Sequence, residues 1–251
     1  MATAVVRYTA AAMTDRGRKR SSNQDAFGYS IEDGVYLVCD GMGGAAAGEV
    51  ASSLAIEEVL RQMTGRRERG EAARVAEEAV IAANSAIHER GQRNARLAGM
   101  GTTLVGLLTD GLLTGERQAW IFHVGDSRCY RLRNGSLQQC TQDHSLVEEQ
   151  IRLGHMTRAE AARSPLRNVI TRALGTQSSV TPDVAEADVE PGDLFLLCSD
   201  GLTRELPDEK IQTILTTSAV DSLDEACTRL IQAANKAGGH DNITCLLVRM
   251  D

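Results

Sequence analysis

The chain has 251 residues, 42% of them apolar and 24% charged, with a formal net charge of −7. That length buries a sizeable core as one domain, taken here as residues 1–251, and no internal repeat or low-complexity tract divides it. The acidic balance, with no basic stripe interleaved with aromatics, argues against a nucleic-acid partner, and the apolar runs fall far short of the roughly 20 residues a membrane span needs.

Taken in order, residues 2–8 and 34–39 read as strands from their β-branched and apolar content. The first ten residues show no basic region ahead of an apolar stretch, so no signal peptide is expected. A helix follows over 45–63, with Ile56, Val59, Leu60 and Met63 on one face. A second runs over 71–90, with Ala72, Val75, Ala76, Ala79, Ala83, Ala86 and Ile87 aligned. The polar connector 65–70 folds the two into an antiparallel pair. Strands are expected at 101–108 and 119–124, then a hairpin over 128–140 turning at Asn134-Gly135, the pair favoured where both central residues need positive φ. Residues 145–172 read as short helical pieces broken at Gly154 and at Ser164-Pro165. A strand at 193–198, a helix pair at 207–216 and 223–237, and a strand at 242–250 close the chain. Segregated runs with hairpins favour an α+β class over alternating βα units. Cys39, Cys129, Cys140, Cys198, Cys227 and Cys245 lie mostly in apolar or strand-like runs with no CxxC pair, the pattern of buried reduced thiols. A reducing, cytoplasmic location is therefore expected.

Five aspartates share one context. Asp40 follows the run 35–39 and precedes Gly41-Met42-Gly43-Gly44. Asp200 follows 195–199 and precedes Gly201. Asp126 follows Phe122-His123-Val124-Gly125, Asp241 precedes the run 243–248, and Asp25 follows Asn23-Gln24. A single Asp-Gly is ordinarily a turn. Five carboxylates at the ends of strand-like runs can gather at one sheet rim, and gathered carboxylates repel one another unless a cation holds them. Mg²⁺ and Mn²⁺ suit such an oxygen-only set, and no His/Cys spacing suggests zinc. Two such cations can share and activate a water. Arg20 is the candidate for holding a phosphoryl group, since guanidinium binds phosphate oxygens bidentately.

Eight motifs stand in order along the chain. They are Arg20-Ser21-Ser22-Asn23-Gln24-Asp25, Val38-Cys39-Asp40-Gly41-Met42-Gly43-Gly44, Met100-Gly101-Thr102-Thr103 and His123-Val124-Gly125-Asp126-Ser127-Arg128. Thr141-Gln142-Asp143-His144-Ser145, Arg172-Ala173-Leu174-Gly175, Leu197-Cys198-Ser199-Asp200-Gly201-Leu202 and Gly239-His240-Asp241-Asn242-Ile243-Thr244 complete them. With these the chain resembles the metal-dependent serine/threonine protein phosphatases of the PPM or type 2C family, especially the compact bacterial members.

The resemblance implies a four-layer αββα sandwich: two antiparallel β-sheets flanked by helix pairs. It implies hydrolysis of phosphoserine and phosphothreonine in proteins by a water activated between two Mn²⁺ or Mg²⁺ ions. Asp40 would bridge the two metals, the Gly41 carbonyl would ligate one, and Asp200 and Asp241 would complete the other. Arg20 would hold the substrate phosphate, with Asp40 and Asp200 central to catalysis. Asp25 would reach a metal through a water or support the ligands from behind, and Asp126 would share a third, weaker site with Asp200. Residues 145–172 would form the flap beside the cleft. Substrates would be phosphoproteins modified by a serine/threonine kinase, and the chain is taken as a monomer. Two departures stand out. Gln24 replaces a Glu found in many members, which removes a charge near the metals. Met42 stands where some members carry His, and it has no proton for the leaving group, a task for which His144 is one candidate. Two other readings remain at this point: an inactive phosphoprotein-binding scaffold of the same fold, and a two-metal hydrolase of another phosphoester.

Overall fold

The computed structural model describes residues 8–65, 72–109, 118–161, 163–219 and 222–251. Its elements begin with strands β1 (Tyr8–Asp15), β2 (Asp25–Ser30) and β3 (Val35–Met42), then helices α1 (Ala45–Met63) and α2 (Ala72–Arg93). Strands β4 (Gly101–Thr102), β5 (Leu104–Thr109), β6 (Gln118–Val124), β7 (Arg128–Arg133) and β8 (Ser136–Gln139) follow. After the short helices α3 (Leu146–Arg152) and α4 (Arg158–Ala161) come β9 (Asp183–Asp188), β10 (Leu194–Cys198), the single turn α5 (Asp200–Thr203), α6 (Asp208–Ser218), α7 (Leu223–Ala237) and β11 (Ile243–Met250).

The central strands carry long apolar runs because both of their faces are covered. Side chains alternate along a strand. In β3, Val35, Leu37 and Cys39 face the helices α1 and α2, while Tyr36 and Val38 face the opposing sheet. In β10, Leu194, Leu196 and Cys198 pack under α6 and α7, while Phe195 and Leu197 meet the other sheet. β11 repeats this with Ile243, Cys245 and Leu247 on the helix side and Leu246 and Val248 between the sheets. Two covered faces on each sheet give four layers, helix, sheet, sheet, helix, as the family resemblance implied.

All strand pairs are antiparallel. One sheet runs β1-β11-β10-β7-β8 and the other β2-β3-β5-β6-β9, with β4 paired to the end of β3. The β7–β8 hairpin turns at Asn134 and Gly135, with φ of 52° and 78°, as the dipeptide predicts. α7 starts where Ser222 accepts a hydrogen bond from the Glu225 N–H at 3.3 Å, a side-chain cap. The outer helix layer on β3 is rich in alanine (Ala51, Ala55, Ala76, Ala79, Ala83), which brings those helices close to the sheet.

Several expectations shift. Of the predicted strand 2–8 only Tyr8 lies within the described residues, and the strand there runs on to Asp15. The predicted connector 65–70 lies outside them after Gly65. β2 and β9 were not expected as strands. They are the two edges of one sheet, where solvent takes part of the contact, so no apolar run is required. The expected strand 101–108 is broken at Thr103, whose backbone N–H donates to the Asp40 carbonyl at 2.9 Å and whose hydroxyl accepts from the Asp40 N–H at 3.0 Å. The sheet gives up one regular pair there and fixes Asp40 from two sides.

Candidate active site

The strand ends that carry the aspartates meet at one rim of the sandwich. Asp40 lies on β3 directly across from Asp25 on β2. Asp126 follows β6, Asp200 follows β10, and Asp241 precedes β11. Asp40, Gly41, Asp126, Asp200, Asp241 and Arg20 all line an open cleft of about 450 Å³. Asp25 sits behind it, buried, its Oδ2 accepting from the hydroxyls of Ser199 at 2.8 Å and Thr244 at 2.7 Å.

The carboxylates are in electrostatic conflict. Burial pushes the Asp25 carboxyl up to about 6. Burial and then the charge of Asp25 hold Asp40 well above the ordinary carboxylate range. Burial and the neighbouring Asp126 do the same to Asp200, and burial raises Asp126 against the pull of Arg204. Asp25 Oδ1 and Asp200 Oδ1 are buried with no hydrogen-bond partner. Buried polar atoms normally find partners. Crowded, raised carboxylates with orphaned oxygens fit hard divalent cations. Close backbone approach fits as well: a Cβ on Gly41 would lie 2.2 Å from the Gly48 carbonyl oxygen and 2.6 Å from that of Gln24, so only glycine passes there.

The Arg20 guanidinium donates to Asp241 Oδ2 at 2.6 Å and is half exposed at the cleft mouth. Its loop is held by Asn242, a residue the motif contains but to which the sequence alone gives no role. The buried Asn242 side-chain oxygen accepts from the Gln24 N–H at 2.8 Å, and its amide donates to the carbonyls of Arg16 and Ser22, both at 2.9 Å. Gln24 also gains a structural explanation. Its side-chain amide donates to the Gly44 carbonyl at 2.6 Å, a bond a carboxylate could not donate, while its backbone carbonyl accepts from Ser52 Oγ at 2.6 Å. Arg204 was not singled out by sequence reading. It forms ion pairs with Asp200 and Asp126, and no pattern signals this beyond its position four residues after Asp200.

His144 is not in the cleft lining. Its ring stacks on His123 with centroids 4.5 Å apart, and its Nε2 faces Asp183 Oδ2 at 3.3 Å. Among the described residues, His123, His144 and Asp183 form the one group of three or more His, Cys, Asp or Glu side chains whose ligand atoms all lie within 4.8 Å of one another. The bonding argues against a metal there. His144 Nδ1 accepts from the Gly125 N–H at 3.1 Å, which puts the proton on Nε2, and His123 Nε2 is spent on the Gln142 carbonyl at 2.8 Å. Asp183 is already paired with Arg172 at 2.7 Å. Burial lowers both imidazoles, His144 to about 4, so both stay neutral. The aspartates are more widely spaced, which suits two cations rather than one.

Comparison with known proteins identifies the family. A model of the family described as protein phosphatase 2C matches residues 14–247. The serine/threonine phosphatase stp of Listeria monocytogenes is 37% identical over 244 residues, covering 95% of this chain and 94% of that one. The crystal structure of the Mycobacterium tuberculosis serine/threonine phosphatase PstP/Ppp superposes with a TM-score of 0.89 at 36% identity, covering 97% of this chain and 99% of that one. A PstP catalytic domain solved in complex with two manganese ions gives 0.86 at 34% identity, covering 98% and 99%. On the family match, the relatives and the shared fold together, the chain belongs to the protein phosphatase 2C family.

Proposed function

We infer that this chain removes phosphate from phosphoserine and phosphothreonine in proteins with the help of two divalent cations, Mn²⁺ or Mg²⁺. The observation that carries the reading is the set of buried, mutually repelling aspartates with unpartnered oxygens at a cleft whose mouth holds Arg20. Asp40 would serve both cations, with the Gly41 carbonyl, Asp200 and Asp241 completing the set. When bound, the two cations supply a water of lowered pKa and neutralise charge on the phosphoryl oxygens.

The chain's own residues do the rest. Arg20 offers the guanidinium fork to the phosphate while Asp241 and the Asn242-held loop fix its position. Asp25 supports Asp40 from across the strand pair. Met42 lines the cleft but has no proton to give, and His144 is turned to Gly125 and Asp183, so neither protonates the leaving alkoxide from its place. The reading extends to a single catalytic domain over residues 1–251 with 145–172 as its flap. Ser145 and Ile170 bridge at the base of that segment, and Asn168 and Ile170 reach the cleft lining. We take the chain as a cytoplasmic monomer acting on targets of a serine/threonine kinase. The six free cysteines, five of them buried, favour a reducing compartment. No helix among the described residues is long and apolar enough to cross a membrane.

The test is turnover by chelator-stripped protein on a phosphothreonine peptide and a nucleoside monophosphate, each with and without Mn²⁺. Peptide hydrolysis that appears only with Mn²⁺ and exceeds nucleotide hydrolysis is expected. A folded protein inactive on both substrates with Mn²⁺ would point instead to a binding scaffold, and preference for the nucleotide to another phosphoesterase.

A further inference from the structure

We propose that Arg204 is a built-in cation of this site: its guanidinium holds the position between Asp126 and Asp200 and keeps a further divalent ion out of it. The proposal rests on the two-cation reading above and adds a limit to it, since the centre then works with the ions on the Asp40 side alone.

Backbone geometry fixes the residue. α5 is one turn long, and the Arg204 N–H donates to the Asp200 carbonyl at 2.8 Å. Residues four apart on a helix face the same way, so the Arg204 side chain lies over that of Asp200. From there Nη2 bonds the Asp200 carboxylate and also reaches Asp126 Oδ2 at 3.3 Å. Nη1 is 4.0 Å from Asp241 Oδ2. One nitrogen thus joins two buried carboxylates that arrive from different sheets, at the ends of β6 and β10. A divalent ion shared by Asp126 and Asp200 would need oxygens at about 2.0–2.2 Å from the same region, so ion and guanidinium exclude each other.

The other nearby base does not compete for this role. Arg128 is committed to Asp143 by three hydrogen bonds of 2.7 to 3.1 Å. Nor does Arg204 leave by losing its proton, because guanidinium stays charged throughout the working pH range. It supplies one positive charge where the two carboxylates alone would attract an ion carrying two. The site is capped against that ion without being emptied of charge.

Mn²⁺ binding, read as free Mn²⁺ by electron paramagnetic resonance, separates the possibilities. The wild type fills two sites. Arg204→Gln takes up a further Mn²⁺ at least about tenfold more tightly than any step the wild type shows beyond two, and adding Asp126→Asn abolishes that gain. Arg204→Gln binding that superimposes on wild type overturns the proposal. Asp126→Asn alone gives an independent check that needs no change at Arg204. It leaves the wild-type isotherm unchanged, and loss of a bound Mn²⁺ in that variant overturns the proposal as well. Absence of the first two binding steps would defeat the two-cation reading itself, and the proposal with it.

Discussion

Two polar clusters sit at strand ends in this molecule, and they differ in how far the protein completes their bonding. At His123, His144 and Asp183 each residue has a protein partner, Gly125 to His144, Gln142 to His123 and Arg172 to Asp183, and the one buried atom without a hydrogen bond, His144 Nε2, lies 3.3 Å from the Asp183 carboxylate. In the cleft, Asp25 and Asp200 each keep a buried oxygen without a partner, and the carboxyls of Asp25, Asp40 and Asp200 are all held above their ordinary range. Convergence of ligand-type side chains is therefore a poor guide to a metal centre by itself. The first cluster is the tighter in space, yet most of its groups are already bonded to protein atoms, and the atom left over, His144 Nε2, faces the Asp183 carboxylate at 3.3 Å. The second is looser and incomplete, and incompleteness is what a cation remedies.

The contrast breaks most sharply at Asp40. Asp40→Asn should lower kcat/KM on a phosphothreonine peptide by about a thousandfold or more, near 4 kcal/mol of lost transition-state stabilisation. The same change should raise the melting temperature of the chelated protein, because it removes a repelling buried charge. Turnover within tenfold of wild type, or a lower melting temperature without metal, would contradict this account of the site.

A smaller effect separates the clusters by the sign of their pH dependence in chelated protein. Asp25 has a folded pKa raised from 3.8 to about 6, so it favours the fold fully below 3.8 and loses that contribution as pH rises through about 6. His144 has a folded pKa lowered from 6.5 to about 4, so its contribution is full above 6.5 and is lost as pH falls toward 4. The two slopes oppose each other across the same window. Asp25→Asn should leave a stability that rises more steeply with pH, and His144→Asn, whose Oδ1 can take the place of Nδ1 as acceptor for the Gly125 N–H without titrating, one whose slope shifts the opposite way. Urea unfolding at a series of pH values measures both, and slopes shifted in the same direction would count against the assignments.

How much of this was legible in the sequence follows from what each feature depends on. Asp40, Asp200 and Asp241 stand out because each ends or precedes a strand covered on both faces, whose apolar run is visible residue by residue. β2 and β9 stay hidden because edge strands need no such run, and the DVAEAD sequence of β9 reads as a polar connector. The roles of Asn242 and Arg204 are hidden for another reason. Asn242 acts on Gln24, 218 positions away, and Arg204 on Asp126, 78 positions away, so their meaning exists only once the strand ends are assembled. Gln24, a missing charge on sequence grounds, becomes intelligible through the hydrogen bond it donates to Gly44. His144, weighed as a proton donor, instead stacks on His123 beside Asp183, outside the cleft lining.

The most direct test of the contrast is anomalous diffraction at the manganese edge from a crystal of this protein soaked in Mn²⁺. Two peaks in the cleft, both within ligand distance of Asp40 and neither between Asp126 and Asp200, are the predicted result. A peak at His123, His144 and Asp183 with none beside Asp40 would contradict the account.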